Sequence, residues 1–360
     1  MQLLSLPHYM KKIIIDCNRK SAADIGLLFF CLNLSEALHD TVGAQANEQI
    51  KCFVKKSEAH RFKLSKKSLV VEKWYHRFFN PIIWSCDVWH ASSNSGSSIP
   101  FLLPKTKVVL TLHEWPNVND GKEYETYLNH IKKLIAKCST VVCVSEHILR
   151  QAKPYIKQYN KPFTVINVGS NFLPDAPPYP TKYKPYLPFV FSIGDIEVHK
   201  KFHSLLPMLR DQHIELVIAG RIVDKAYADE IRKLAWNANV SDRVRFIGAI
   251  NDADKAWYFR NCKAFAFPSK AAGSGAALLE AFRFMNPIFL NDDSPLAEFG
   301  GDACFYMDGD DAENVFEVYN ECLQNFSKHH YNQRLMHRAR LFQWSEKAAE
   351  YLQLYRSLLY

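Results

Sequence analysis

No apolar run in this 360-residue chain is long enough to cross a bilayer. The longest, Ile25 to Leu34, is half of the ~20 residues a spanning helix needs and already contains Asn33. The N-terminal MQLLSLPHYMKK lacks a basic start, a long apolar centre and a small-residue cleavage site, so no secretion signal is expected. The nine cysteines include no CxxC pair and no Cys/His spacing suited to zinc. Several, such as Cys143 in VVCVS and Cys262 in RNCKAF, lie in apolar runs where cysteine acts as a small hydrophobe. Free thiols in a reducing, cytoplasmic setting are therefore expected, with no metal site. No GxGxxG turn follows a first strand, which counts against a nicotinamide-dependent oxidoreductase. Short repeats and low-complexity segments are also absent.

What is present describes a globular α/β protein. At 48% hydrophobic and 23% charged residues the chain can build cores, and its length is too great for one of ordinary size. Two domains are expected. The formal charge of +8 is uneven, roughly +10 over residues 1–170 and roughly −2 over the rest. A basic half can attract nucleic acid, anionic lipid or an anionic acceptor, or can simply be a solvated surface. Dispersed charge without a recognition motif argues against nucleic acid.

Short β-branched runs alternate with helix-length amphipathic segments, the pattern of parallel sheets with crossover helices. Strands are predicted at 12–16, 50–54, 68–72, 86–90, 107–112, 140–145 and 163–167, then at 189–194, 215–220, 243–248, 264–269 and 287–291. Helices are predicted over 24–38, 124–136, 146–156 and 345–359, the last with Ser345 as N-cap. Between the two sets lies PDAPPYPTKYKPYLP (174–188), with six prolines in fifteen residues. Proline fixes φ and withholds a donor, so this stretch reads as a linker. The domains are thus drawn as 1–173, a linker over 174–188, 189–341, and a terminal helix 342–360 packing back toward the first domain.

Three of the later strands end in glycine, at Gly194, Gly220 and Gly248. Glycine at the carboxyl end of a parallel strand lets backbone approach a ligand, although turns also need glycine. The stretch FPSKAAGSGAALLEAFRFMNPIF (267–289) then runs from a buried strand through a loop with Gly273 and Gly275 into a helix opening near Ala276. Free amides at such a start suit a diphosphate, and Glu280, one turn on, suits the hydroxyls of a ribose. Close packing alone explains the same glycines equally well.

This stretch resembles the C-terminal signature of GT-B glycosyltransferases of retaining family four, P-S-x-x-E-G-F-G-L-x-x-L-E-A. The resemblance continues through DCNRKSAADIGLLFFCLNLSEAL (16–38), TLHEW (111–115), VVCVSEHI (141–148), SIGDIEVHKKFHSLL (192–206), RVRFIGAIND (243–252), LNDDSPLAEFGGDACFYMD (290–308) and FQWSEKAAEYLQLY (342–355). It covers nearly all of the chain in the right order, and it is nearest to bacterial members that build cell-surface polysaccharide or lipopolysaccharide. It implies two Rossmann-like, doubly wound α/β domains with a deep cleft between them. It also implies a metal-independent, retaining hexosyltransferase with no cofactor, using a nucleoside-diphosphate sugar as donor and a saccharide or lipid-linked saccharide as acceptor. The implied setting is the cytoplasm, at the cytoplasmic face of the inner membrane, with peripheral contact to anionic lipid through lysines such as Lys11, Lys12, Lys55, Lys56, Lys66 and Lys67.

The resemblance also assigns residues. Lys200 falls on the lysine that pairs with donor phosphates. The arginine often found after the first glycine is Asp195 here, and Arg221 or Lys201 are the substitutes at hand. Gly26, Gly194, Gly273, Ser274, Gly275 and Ala276 fall along the donor phosphates and sugar. Ile247, Gly248 and Ala249 would present backbone to the base. Glu280 takes the ribose, and His113 the acceptor-domain histidine that meets the donor. The first glutamate of the family pair is replaced by Ala272, and an alanine can neither orient a sugar hydroxyl nor stabilise developing positive charge. A member with altered donor handling, a binding-only descendant and a substituted glutamate are the alternatives this leaves.

Overall fold

The centres of runs such as KKIIID and ELVIA are apolar on both faces, so they are stable only where neighbouring strands and helices cover both sides. In the computed structural model Ile13, Ile15, Val141, Leu216 and Ile218 are accordingly buried completely. The structure describes residues 10–18, 25–42, 47–77, 86–94, 99, 105–115, 122–170, 173–210, 213–270, 275–326 and 331–360.

The first sheet contains β1 (Lys11–Asp16), β2 (Glu48–Val54), β3 (Leu69–Val71), β4 (Val88–Ala91), β5 (Lys107–Leu112), β6 (Thr140–Cys143) and β7 (Phe163–Val165). Its order is β3-β2-β1-β4-β5-β6-β7, with all of these pairings parallel. The second contains β8 (Phe189–Ile193), β9 (Glu215–Ala219), β10 (Val244–Gly248), β11 (Ala264–Phe267), β12 (Ile288–Asn291) and β13 (Phe305–Met307). It runs β10-β9-β8-β11-β12-β13, again parallel. The helices are α1 (Ile25–Val42), α2 (Lys122–Lys137), α3 (Glu146–Gln158), α4 (Lys225–Asn237), α5 (Asp252–Asn261), α6 (Ala276–Ala281), α7 (Ala297–Gly300), α8 (Ala312–Asn325), α9 (Tyr331–Leu341) and α10 (Trp344–Leu359). Both sheets belong to Rossmann-like α/β layers. Each reverses its strand order once, at β1/β4 and at β8/β11, and ligands of open parallel sheets bind beyond the carboxyl ends at such points.

The chain divides into two units, Met1–Gly169 with Gln343–Tyr360, and Ser170–Phe342. In the first unit α10 closes the layer. His90, fully buried on β4, meets Thr111 Oγ1 at 2.7 Å through Nε2 and the Tyr355 hydroxyl at 2.7 Å through Nδ1. Arg356 adds a two-point ion pair to Glu48, at 2.8 and 3.3 Å. Gly169 lies so close to Trp344, at the start of α10, that a Cβ there would collide with the indole. The N-cap of α10 is Gln343, not Ser345, which already lies inside the helix.

The Pro-rich stretch 174–188, expected as a linker, is instead a strap fastened to the second unit. It has no regular structure, but its donors are collected by two buried carboxylates. Glu215, the first residue of β9, accepts from Tyr186 N at 2.8 Å, Leu187 N at 3.0 Å and the Tyr183 hydroxyl at 2.5 Å. Asp254 accepts from both the amide and the hydroxyl of Thr181. Because Glu215 opens its strand, its part of this clamp is on the amino edge of the sheet, opposite to the edge where ligands are expected.

Candidate functional site

The carboxyl edge of the second sheet brings the strand-end glycines together. Gly194 follows β8 and Gly220 follows β9, while Gly248 ends β10. The Gly194 amide donates to Ala219 O, and the Gly220 amide to Gly248 O, both at 2.9 Å. Gly220 has φ +151° and its Cβ would overlap the Gly194 carbonyl, so no other residue fits there. The result is a strip of bare backbone across three adjacent strands.

Lys200 lies beside Gly194, the first glycine of this strip, at the β8/β11 switch point. A short 3₁₀ turn, Val198–Lys200, carries it, and its ammonium is 6.0 Å from the centre of the Phe267 ring at the end of β11. Burial lowers its pKa, against the opposing pull of Glu197 and Asp195. Among the described residues it forms no ion pair. Lys201 is different: it has φ +51° and its ammonium is bound to Asp310 at 2.5 Å. Asp310 is also gripped by Lys270, and the two lysines hold its carboxyl down at about 2. Of the two substitutes for the missing arginine, Lys201 is thus committed elsewhere.

Arg221 is the better placed. It follows Gly220 directly and is held by Asp195, which accepts from its Nε at 3.1 Å and its Nη2 at 2.5 Å. The guanidinium lowers the Asp195 pKa, and the side chain is 73% exposed on the same edge. Ile247 and Gly248 lie at the end of the edge strand β10 and Ala249 just past it, exposed. Gly275, with φ +67°, caps α6, and a Cβ on it would crowd Leu296 and Phe299 at 3.2 Å. Ala276 is the first residue of α6. Ala272, Gly273 and Ser274 lie outside the described residues.

Glu280 is not presented at the surface. It is buried in α6, and its Oε2 is 2.9 Å from the ammonium of Lys255 on α5, a partner no sequence signal had indicated. Two helical residues 25 positions apart have no spacing rule that joins them.

In the first unit His113 follows β5. Its Nε2 donates to the Ser92 carbonyl at 2.9 Å and its ring meets the edge of Phe30 at 4.5 Å. Burial pushes its pKa down to about 4, so the ring is neutral at ordinary pH with Nδ1 as its unprotonated nitrogen. Gly26 is the second residue of α1, exposed and with open space where a Cβ would stand. Sequence reading passed over Asp16 at the end of β1, whose buried carboxyl is raised to about 7 by desolvation. Among the described residues no cluster of three His, Cys, Asp or Glu side chains is arranged to hold a metal ion, and no helix is long and apolar enough to cross a membrane.

Two parallel Rossmann-like sheets, with a glycine strip and a lysine at the second switch point, define a GT-B glycosyltransferase fold. Within that class residues 182–333 match the family of glycosyl transferases group 1. The chain is 23% identical over 208 residues to O-antigen chain mannosyltransferase B of Escherichia coli, covering 54% of each. It is 26% identical over 226 residues to the lipopolysaccharide core biosynthesis mannosyltransferase LpcC of Rhizobium leguminosarum bv. viciae, covering 59% of this chain and 60% of the relative. The matches thus span little more than half of these curated relatives. The structure of Anabaena HepE in complex with UDP and glucose superposes with a TM-score of 0.66 at 14% identity, covering 97% of this chain and all of that one. That likeness is one of fold.

Proposed function

We propose that the protein is a retaining glycosyltransferase that moves a hexose from a nucleoside-diphosphate sugar to a hydroxyl of a saccharide or lipid-linked acceptor in cell-envelope polysaccharide biosynthesis. The observation that carries this reading is the carboxyl edge of the second sheet, where Lys200, which forms no ion pair among the described residues, lies beside Gly194, the first of three strand-end glycines with Gly220 and Gly248. A diphosphate needs close backbone approach and a cation, and this edge offers both. Lys200 and Arg221 would stabilise the departing diphosphate without a metal, because charge that develops as the glycosidic bond breaks is met by donors already in place. Glu280 would accept the ribose hydroxyls, and Ile247 to Ala249 would flank the base. His113, neutral and fixed by Ser92, would meet the transferred sugar from the first unit. The two mannosyltransferase relatives make a mannose-bearing donor the first to test. The exposed lysines Lys56, Lys66 and Lys67 would favour the cytoplasmic face of a membrane, a contact that salt should weaken.

Calorimetry with nucleoside diphosphates tests the site. Lys200→Ala should weaken binding by roughly 1–3 kcal/mol, the range for a charge-assisted contact. Unchanged affinity in a folded variant removes Lys200 from the site. The position of the absent glutamate decides between an enzyme and a binding-only descendant. With matched donor and acceptor, Ala272→Glu should raise turnover far more than it alters diphosphate affinity, since a carboxylate facing the sugar acts on transition-state charge. A slower or less stable glutamate form means that the pocket is built around the gap.

A further inference from the structure

We infer that Lys255 is a positioning residue for the carboxylate of Glu280, and that through it Lys255 sets the preference of the nucleotide site for ribose over deoxyribose. The inference rests on the reading of Glu280 as the ribose acceptor. Lys255 Nζ lies 2.9 Å from Glu280 Oε2 and 3.0 Å from Asp252 Oδ1. The Glu280 side chain is 2% exposed and that of Lys255 16%. A carboxylate at that depth is costly to ionise unless a cation matches it, and Lys255 is that cation. Burial opposes the charge on the lysine, yet the two carboxylates overturn that effect and raise its pKa.

The consequence for a nucleotide is geometric. The 2′ and 3′ hydroxyls of ribose are two adjacent donors and call for one acceptor group with both oxygens correctly turned. An ionised carboxylate offers about four acceptor directions, whereas a protonated one spends an oxygen on its own proton. By holding Oε2 from one side, Lys255 keeps the group ionised and fixes its rotation. Asp252, at the start of α5, holds the same ammonium from the other side, so the lysine is itself anchored. The alternative is a staple that merely fastens α5 to α6. A staple affects stability and weakens every nucleotide alike, while a positioning residue changes the ratio between ribose and 2′-deoxyribose ligands.

Calorimetry on the full chain separates the two, using UDP, GDP and their 2′-deoxy counterparts. The unaltered protein should favour the ribose form about tenfold, as expected for a hydrogen bond to a charged group. Glu280→Gln should remove most of that preference. Lys255→Met should remove it to a similar degree, and Lys255→Arg, which keeps a cation, should retain it. Where Lys255→Met does not fold, Lys255→Gln keeps an uncharged donor on a side chain one bond shorter, and should lower the ratio about threefold through loss of charge. Equal weakening of both ligands in Lys255→Met, or in Lys255→Gln where that is the folded variant, overturns the inference and leaves the role of Glu280 intact. An unchanged ratio in Glu280→Gln overturns the ribose role of Glu280, and the inference with it.

Discussion

Asp16 and His113 carry opposite burdens at the carboxyl edge of the first sheet. Desolvation raises the Asp16 carboxyl from 3.8 to about 7, against the Asn18 amide that donates to its Oδ1 at 3.1 Å. Its neutral form is the comfortable one, so its contribution is complete below pH ~4 and is lost as pH rises through about 7. His113 and His90 are lowered from 6.5 to about 4 and about 3, so theirs is present above 6.5 and is lost as pH falls toward those values. Asp16→Asn keeps the acceptor for Asn18 and removes the ionisation. It should therefore raise thermal stability at pH 8 by at least about 1 kcal/mol more than at pH 4, where the change should be small. The same gain at both pH values would mean that ionisation of Asp16 is not the cause. Asp195 and Arg221 form a second pair on the other sheet: the residue after Gly194 is an acid, the residue after Gly220 an arginine, and the acid holds the guanidinium.

At the scale of elements, the strands that end in glycine were legible because an apolar run followed by glycine has few other meanings. β8, β9 and β10 lie within one or two residues of expectation, and so does α3, where Ser145 caps the helix by accepting from Ile148 N. β13 was not anticipated, since Phe305–Met307 is too short to show a period. Nor was the strap legible as a fastened segment. Proline content reveals that a stretch is irregular, but its partners Glu215 and Asp254 are remote in sequence and look like surface carboxylates. The glycine strip was readable for the same reason as the strands and Lys200 was singled out only by the family resemblance, while the Lys255–Glu280 pair was hidden for the same reason as the strap. The strap supports a clear expectation. Glu215→Ala leaves three donors without their acceptor and should cost about 3 kcal/mol in unfolding measurements. Because Glu215 is on the amino edge, diphosphate affinity of the folded variant should be unchanged. A parallel loss of affinity would mean that the two edges of this sheet are coupled.

At the scale of the molecule, the two units differ in how the chain completes them. The second is one continuous segment, whereas the first depends on Gln343–Tyr360 returning to it. That segment buries Ala348, Tyr351, Leu352 and Tyr355, and supplies the hydroxyl for His90. A chain ending at Phe342 should therefore lose the cooperative transition of the first unit and keep that of the second. Nucleoside diphosphates should still raise the melting temperature of what remains, since ligand that binds only the folded state stabilises it. Retention of both transitions would show that α10 is dispensable to the first sheet.

This dependence on α10 also governs the order in which a newly made chain can mature. The first sheet emerges from the ribosome early, yet its closing helix is translated only after residues 170–342. At 5–20 residues per second that interval is roughly 10 to 30 s. During it the His90 face of β4 and the apolar side of α1 lack their cover, while the second unit, contiguous in sequence, can already complete its core. The half of the protein made first is thus finished last, and its unclosed sheet is the surface on which a chaperone would act.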